Sequence, residues 1–139
     1  MPRIGHRGAI LPIVLLVLLA LSALGTGAFL AASFERRISE AHRAGVIALY
    51  VAESGLAHLL AENPPSFPAL RSYAFPDGDA VVRADRLVTI DSTRALVLVT
   101  SRGTHGVGRQ AIGVRSVQIV AEFGAGPPRP RRGSWHERW

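Results

Sequence analysis

The sequence predicts an α+β fold in which one long N-terminal helix packs on a small antiparallel sheet. Residues 9–34 contain no charged side chain, and no helix breaker separates them from the amphipathic pattern of residues 35–62. Short β-type runs follow up to residue 123, and Gly-rich loops join them. Because the sheet has one apolar face to cover and residues 35–62 are its only amphipathic partner, we expect the two to pack together.

Residues 9–34 are predicted to form a transmembrane helix. A helix of this length reaches ~39 Å, whereas a bilayer core needs only ~20 residues. Arg3 and Arg7 lie in the short preceding segment, which favours a cytoplasmic N-terminus and an extracytoplasmic C-terminal part. A cleaved secretory signal has a shorter apolar region, so we expect a single-pass protein of the inner membrane instead.

Small residues recur within this span at steps of three and four. They are Ala20, Ala23, Gly27 and Ala31. Such spacing lets two helices approach closely in lipid, so these residues are candidate helix-packing positions. The same pattern also arises by chance in an Ala- and Leu-rich run, and the two interpretations stay open.

Residues 35–62 are predicted to continue the same helix in amphipathic form. Its apolar stripe follows three- and four-residue spacing and comprises Ile38, Ala41, Gly45, Ala48, Ala52, Leu56 and Leu59. Charged residues occupy the remainder, where Glu40 can pair with Arg36 one turn away. Asn63 and two prolines after it end the helix, because proline cannot continue one.

Residues 63–123 are predicted to form a loop and an antiparallel sheet of three or four strands. We expect a loop or short helical turn over 66–78, one bent strand or two strands over 80–84 and 86–90, a strand over 95–101, a hairpin loop over 103–108 and a long strand over 109–123. The β-type runs alternate apolar and polar residues, which is typical of half-buried strands. Short loops between strands favour antiparallel pairing.

Residues 124–139 are predicted to form a disordered basic tail. Pro, Gly and Arg dominate this segment, and it lacks an apolar run. Its Arg and Trp side chains are candidates for weak contact with DNA or anionic lipid, namely Arg129, Arg131, Arg132, Arg138, Trp135 and Trp139. A solvated tail without a ligand is the alternative.

The composition offers little for catalysis. The chain has no cysteine, which excludes disulfides and thiolate chemistry, and all sixteen of its basic residues are arginines. The glycines at 103, 106 and 108 lack the Lys and the following helix of a phosphate-binding loop. His42 and His58 are too far apart on the helix to share a metal. We therefore expect neither an enzyme nor a bound cofactor.

The N-terminal segment resembles the class III leader of type IV pilin-like proteins. Arg7-Gly8 is followed at once by an apolar run that becomes a long amphipathic helix. In that family a prepilin peptidase cuts after the glycine and methylates the new N-terminus. The resemblance implies that residues 1–8 are a leader, with cleavage between Gly8 and Ala9 and methylation of Ala9. A stretch further on, residues 52–56 (AESGL), is similar to one that PilX-like proteins carry on the same helix.

The chain departs from major pilins at the fifth position after the implied cleavage site. Major pilins have Glu there, whereas this chain has Ile13. PilX-like minor pilins and the K-type minor pseudopilin of type II secretion often lack that Glu, so they resemble the chain more closely. The resemblance implies a structural subunit of a type IV pilus or a type II secretion-like filament, present in few copies at the tip or in an initiating complex.

Such a subunit would contact other pilin or pseudopilin subunits through its N-terminal helix. A different hypothesis is an unprocessed, membrane-anchored binding module whose extracytoplasmic sheet or basic tail binds DNA or an envelope polymer. The N-terminus of the mature protein discriminates between the two, because only the first requires cleavage after Gly8.

Overall fold

A computed structural model describes residues 10–64, 66–107 and 110–138. The chain divides into two compact units, Met1–Glu40 and Ala41–Trp139. The elements are one helix, α1 (Ile10–Glu62), and the strands β1 (Ala69–Phe75), β2 (Gly78–Thr89), β3 (Ala95–Val107), β4 (Gln110–Phe123), β5 (Arg129–Pro130) and β6 (His136–Arg138). This is the α+β arrangement that the sequence predicts.

The described part of the first unit is helical from Ile10 onward. Pro12 lies in the first turn, where backbone amides have no helical partner, so it interrupts no hydrogen bond. Hydroxyls inside the apolar stretch donate to carbonyls of the preceding turn: Ser22 Oγ to Leu18 O and Thr26 Oγ1 to Ser22 O, each at 2.8 Å. The span therefore holds these polar groups without leaving them unpaired.

The helix ends in the second unit as its last residues predict. Asn63 adopts a left-handed conformation with a φ of 46°, and its amide donates to Leu59 O at 3.2 Å. Asn tolerates this conformation better than most residues, and Pro64 next to it cannot extend the helix. The end of α1 is thus determined locally.

The sheet is antiparallel throughout, in the order β1-β2-β3-β4-β5, and β6 also pairs with β4. A bulge between Arg86 and Val88 bends β2 without ending it. The runs at 80–84 and 86–90 are therefore one bent strand. The described residues form six strands, more than the three or four that the sequence predicts.

Two expectations about loops are wrong. β1 occupies most of residues 66–78, where we expected a loop or a helical turn, because its backbone pairs along its whole length with β2. β3 continues to Val107, so Gly103 lies inside a strand and not in a hairpin loop. In both places long-range backbone pairing outweighs the local Pro and Gly signals.

The prediction of a disordered tail is also wrong for β5 and β6. β5 pairs with Ala121 and Glu122, and β6 pairs with residues 116–118. Between these strands Ser134 Oγ donates to Val120 O at 3.1 Å and accepts from Val120 N at 3.2 Å. The edge of β4 that does not pair with β3 supplies hydrogen-bond partners for the backbone of the tail. The composition of the tail does not reveal these partners.

The hydrophobic core lies between the sheet and the second half of α1. Its buried residues are Leu59, Ala69, Val82, Ala84, Val97, Val99, Ile119, Ala121 and Phe123. On β4 the buried side chains alternate as the sequence predicts. On the helix the predicted stripe holds from Gly45 onward, whereas Ile38 is 69% exposed and Ala41 is exposed.

Candidate functional site

The surface that α1 presents to the sheet consists of small residues, and glycines on two strands meet it. A Cβ at Gly103 would overlap the carbonyl oxygen of Ala48 and the amide nitrogen of Ala52. A Cβ at Gly113 would overlap the carbonyl of Ala44. The sheet backbone therefore rests directly on the helix backbone, and only glycine permits this separation.

The helix contributes small residues of its own to the same interface. A Cβ at Gly55 would lie 2.5 Å from Ala80 Cβ, and at Gly45 it would lie 2.8 Å from Arg115 Nη2. Within residues 52–56, Ala52 and Gly55 are buried while the two residues between them are partly exposed. The stretch that is similar to PilX-like proteins thus lies within the close helix–sheet contact.

One buried hydrogen bond joins the sheet to the middle of the helix. Ser101 Oγ on β3 donates to Ala52 O at 2.6 Å, and Ser101 is fully buried. A buried hydroxyl without a partner would be costly, so this bond both satisfies Ser101 and aligns β3 with the helix. Sequence reasoning did not identify Ser101, because it looks like an ordinary β-type residue.

An ion pair links the C-terminal strand to the edge of the same interface. Arg115 Nε lies 3.6 Å from Glu137 Oε1, and both side chains are mostly buried. The Arg115 guanidinium also lies against Gly45. β6 thereby helps to hold Arg115 over the helix, a role that no local sequence pattern indicates.

Aromatic rings close the end of the core near the end of α1. Phe67 and Phe123 meet edge to face with centroids 4.8 Å apart, and His58 lies 5.4 Å from the ring of Tyr73. Burial, together with the nearby Glu62 carboxylate, raises the pKa of Tyr73 to about 12. The Tyr73 hydroxyl forms no hydrogen bond of good geometry with the described residues.

Two acidic side chains, one on β2 and one in the β2–β3 connection, pair with neighbouring arginines. Asp85 Oδ2 accepts from Arg83 Nε at 2.7 Å, and Asp91 Oδ2 accepts from Arg94 Nε at the same distance. The amide of Thr93 and the Arg94 guanidinium hold the pKa of Asp91 well below its usual range. Within the described ranges, no three His, Asp or Glu side chains are placed to hold a metal ion.

A cleft of about 370 Å³ lies beside this turn, between the end of α1 and the β2–β3 connection. Asn63 and Phe67 line one side, and Thr93 and Arg94 line the other. Arg94 is held by Asp91 and lies 3.3 Å from a carboxylate oxygen of Glu122. The polar groups of the cleft are therefore largely paired with one another, and Thr93 Oγ1 also donates to Asp91 Oδ1 at 2.9 Å.

The residues predicted for processing lie outside the described residues, namely Arg3, Arg7, Gly8 and Ala9. The predicted helix-packing residues all lie on α1 and are exposed: Ala20, Ala23, Gly27 and Ala31. Beyond the adjoining residues and the backbone of α1 itself, no described atom lies within 4 Å of a Cβ placed at Gly27. Their role in packing against another helix stays a prediction.

The first half of α1 is apolar enough to cross a membrane. Its most apolar stretch has a mean hydropathy of 2.5, and none of that stretch is buried within the chain. Fold and span together define a membrane-anchored protein with the pilin-like arrangement of a long N-terminal helix and an antiparallel sheet.

A family model described as PilX N-terminal matches residues 7–57. The match supports a PilX-like, type IV pilus-related minor pilin. The resemblance noted from the leader and from residues 52–56 is confirmed. Neither the curated proteins nor the solved structures compared with the chain show a match.

Proposed function

We propose that the protein is a minor pilin or pseudopilin, a structural subunit of a type IV pilus or a type II secretion-like filament, rather than an enzyme. The observation that carries this proposal is the PilX N-terminal match over a helix whose first half exposes large apolar side chains. Leu16, Leu24 and Phe29 are each at least 70% exposed. Such a surface requires either lipid or the helices of other subunits.

Maturation would remove residues 1–8 by prepilin peptidase cleavage between Gly8 and Ala9, followed by methylation of Ala9. Support comes from Arg7-Gly8 directly before the apolar run. Mass spectrometry of the protein isolated from its native host should show Ala9 as a methylated N-terminus. An intact leader would contradict this proposal and favour an unprocessed membrane-anchored binding module. A cut near Ser33 would contradict both.

The subunit would be present in few copies, at the filament tip or in an initiating complex. In pilins the carboxylate at the fifth mature position is thought to neutralise a neighbouring N-terminal amine within an apolar bundle. Ile13 cannot do this, and an unpaired charge is expensive in such surroundings. The chain could still donate its own amine to a subunit that carries the Glu.

Quantitative mass spectrometry of purified filaments tests the copy number. We expect far less of this protein than of the major subunit, and fewer filaments when its gene is deleted. Stoichiometric recovery along the filament would contradict the tip position, and an unchanged filament number would contradict an initiating role. Ile13→Glu tests the charge argument, since it should raise incorporation along the shaft.

The proposed topology is a single pass through the inner membrane with a cytoplasmic N-terminus. The natural absence of cysteine makes the test direct, because a single introduced thiol is unambiguous. In spheroplasts of a strain without prepilin peptidase, where the leader stays attached, a membrane-impermeant maleimide should label Ser92→Cys, which lies in an exposed turn. It should label Gly5→Cys only after the membrane is permeabilised. The reverse labelling pattern would contradict the orientation.

A further inference from the structure

The face of the sheet that points away from α1 carries two adjacent polar rows, which together we call the outer basic face. The strand register places Leu70, Arg83, Thr100, Gln118 and His136 in one row and Ser72, Val81, Arg102, Ser116 and Arg138 in the other. These residues alternate along their strands with buried ones such as Val82, Ser101 and Val117. Side chains of both rows therefore project to the same side of the sheet.

The outer basic face has a positive charge that its own residues do not neutralise. Arg102 and Arg138 pair with Ser116 from its two sides, so their Cα atoms lie about 10 Å apart. Both side chains are exposed, and neither forms an ion pair with a described residue. Arg83 is held by Asp85, and neither row contains an acidic residue.

The C-terminal segment adds further charge beside this face. β6 contributes His136 and Arg138, and the amide of Arg131 donates to Val120 O at 2.9 Å on β4. Arg129 and Arg132 are also exposed, and they form no ion pair with the described residues. Folding of the tail onto β4 therefore gathers arginines that are distant in sequence along one edge of the outer basic face.

We propose that the outer basic face binds duplex DNA through its phosphates, an activity beyond the structural role proposed above. Guanidinium, hydroxyl and amide groups are the side chains that contact phosphate oxygens in protein–DNA complexes, and the two rows consist largely of them. An acidic protein partner fits less well, since protein interfaces have an apolar centre, whereas the large apolar residues of the two rows, Leu70 and Val81, lie on β1 and β2, away from Arg102 and Arg138.

Binding of this kind is independent of base sequence and weakens with salt. Each phosphate contact adds about 0.9 to the slope of log affinity against log salt concentration. Loss of Arg102 and Arg138 should therefore reduce the slope by about two and weaken binding at low salt by about tenfold or more. Two duplexes of unrelated sequence should bind with equal affinity.

The test uses the full chain in a non-ionic detergent and fluorescence anisotropy with a labelled duplex at several salt concentrations. The test variant is Arg102→Gln combined with Arg138→Gln. The control is Arg86→Gln combined with Arg43→Gln, which removes the same charge from exposed arginines that have no ion pair with described residues and lie outside the two rows. We expect the control to bind within about twofold of the wild type, and thermal unfolding shows that both variants are folded.

Three results would overturn the proposal. The first is no binding by the wild type at low salt, and the second is an equal loss in test and control variants, which would mean that net charge alone attracts DNA. The third is that the wild-type protein binds poly-glutamate or vesicles of anionic lipid at least as tightly as DNA, and that the test variant loses this binding to the same extent. The proposal is supported if the wild type binds DNA more tightly than the other two probes and if only the test variant loses this binding.

Discussion

Both halves of α1 carry many apolar side chains, but only the second half buries them within the chain. In residues 11–34 large side chains are exposed, and Phe29 reaches 75%. In residues 41–62 the buried face is made mainly of small residues, with Ala48 and Ala52 fully buried against the sheet. The comparison shows that apolarity alone does not reveal whether a side chain has its partner within the chain. In the second half, small residues let the helix backbone lie close to the sheet.

Glycines make the same distinction. Among the described residues, and apart from the adjoining residues and the backbone of α1, no atom lies within 4 Å of a Cβ placed at Gly25 or Gly27 in the first half of the helix. Gly45 and Gly55 in the second half are each covered by a side chain of the sheet. Each glycine lowers the stability of the helix relative to alanine. In the second half this cost is accompanied by a close contact between the helix and the sheet, whereas in the first half the described residues make no such contact.

The largest effect is expected where the sheet backbone meets the helix. Gly103→Leu should destabilise the second unit by about 3 kcal/mol or more, because its side chain would displace the backbone of Ala48 and Ala52. Thermal unfolding of the full chain in detergent, followed by near-UV circular dichroism, measures this. Gly27→Leu is the matched control and should leave the transition unchanged. Similar shifts of the unfolding transition in both variants would mean that the close contact with the helix backbone is not the reason why Gly103→Leu is destabilising.

A matched pair of leucines sharpens the comparison. Leu59→Ala removes a fully buried side chain from the core and should cost about 2–5 kcal/mol in the same unfolding measurement. Leu16→Ala makes the same chemical change at a residue that is 70% exposed, so the unfolding temperature should stay constant. If Leu16→Ala were as destabilising as Leu59→Ala, the first half of the helix would contribute to the core after all.

A pair of serines tests the hydrogen bonds of the two halves. Ser101→Ala removes a buried bond to Ala52 O and should cost about 1 kcal/mol. Ser33→Ala removes a bond of similar length, 2.7 Å to Leu30 O, from an exposed site and should change stability little. Chemical denaturation measures both. An equal cost would show that burial does not strengthen the Ser101 contact.

The smallest effect is expected at Tyr73. Its hydroxyl makes no good hydrogen bond, so Tyr73→Phe should change stability at pH 7 by less than about 0.5 kcal/mol. Burial raises the pKa of Tyr73 from 10.0 to about 12, which means that the folded state keeps a proton that the unfolded state loses. Stability that is present below pH 10 should therefore fall as the pH rises through this range. Unfolding between pH 9 and 12 should show a smaller fall for Tyr73→Phe than for the wild type.

The tail contrasts with the helix in how far sequence reasoning extends. Residues 129–138 have the composition of a disordered segment, and yet β5 and β6 pair with β4. β3 shows the same limitation, because Gly103 looks like part of a loop but lies within the strand. In both cases a partner strand that is distant in sequence supplies the hydrogen bonds, and local propensity does not contain that information.

The sequence by itself determined the α+β class, the membrane span and the end of α1 near Asn63, because each depends on local periodicity, length or breakers. It also indicated the similarity to PilX-like pilins. The tertiary structure decided which glycines touch the helix, that Ser101 bonds to Ala52 O, and that the tail brings Arg138 beside Arg102 on the outer basic face. The reason is that these features depend on strand register and close backbone approach, which arise only between segments far apart in the chain.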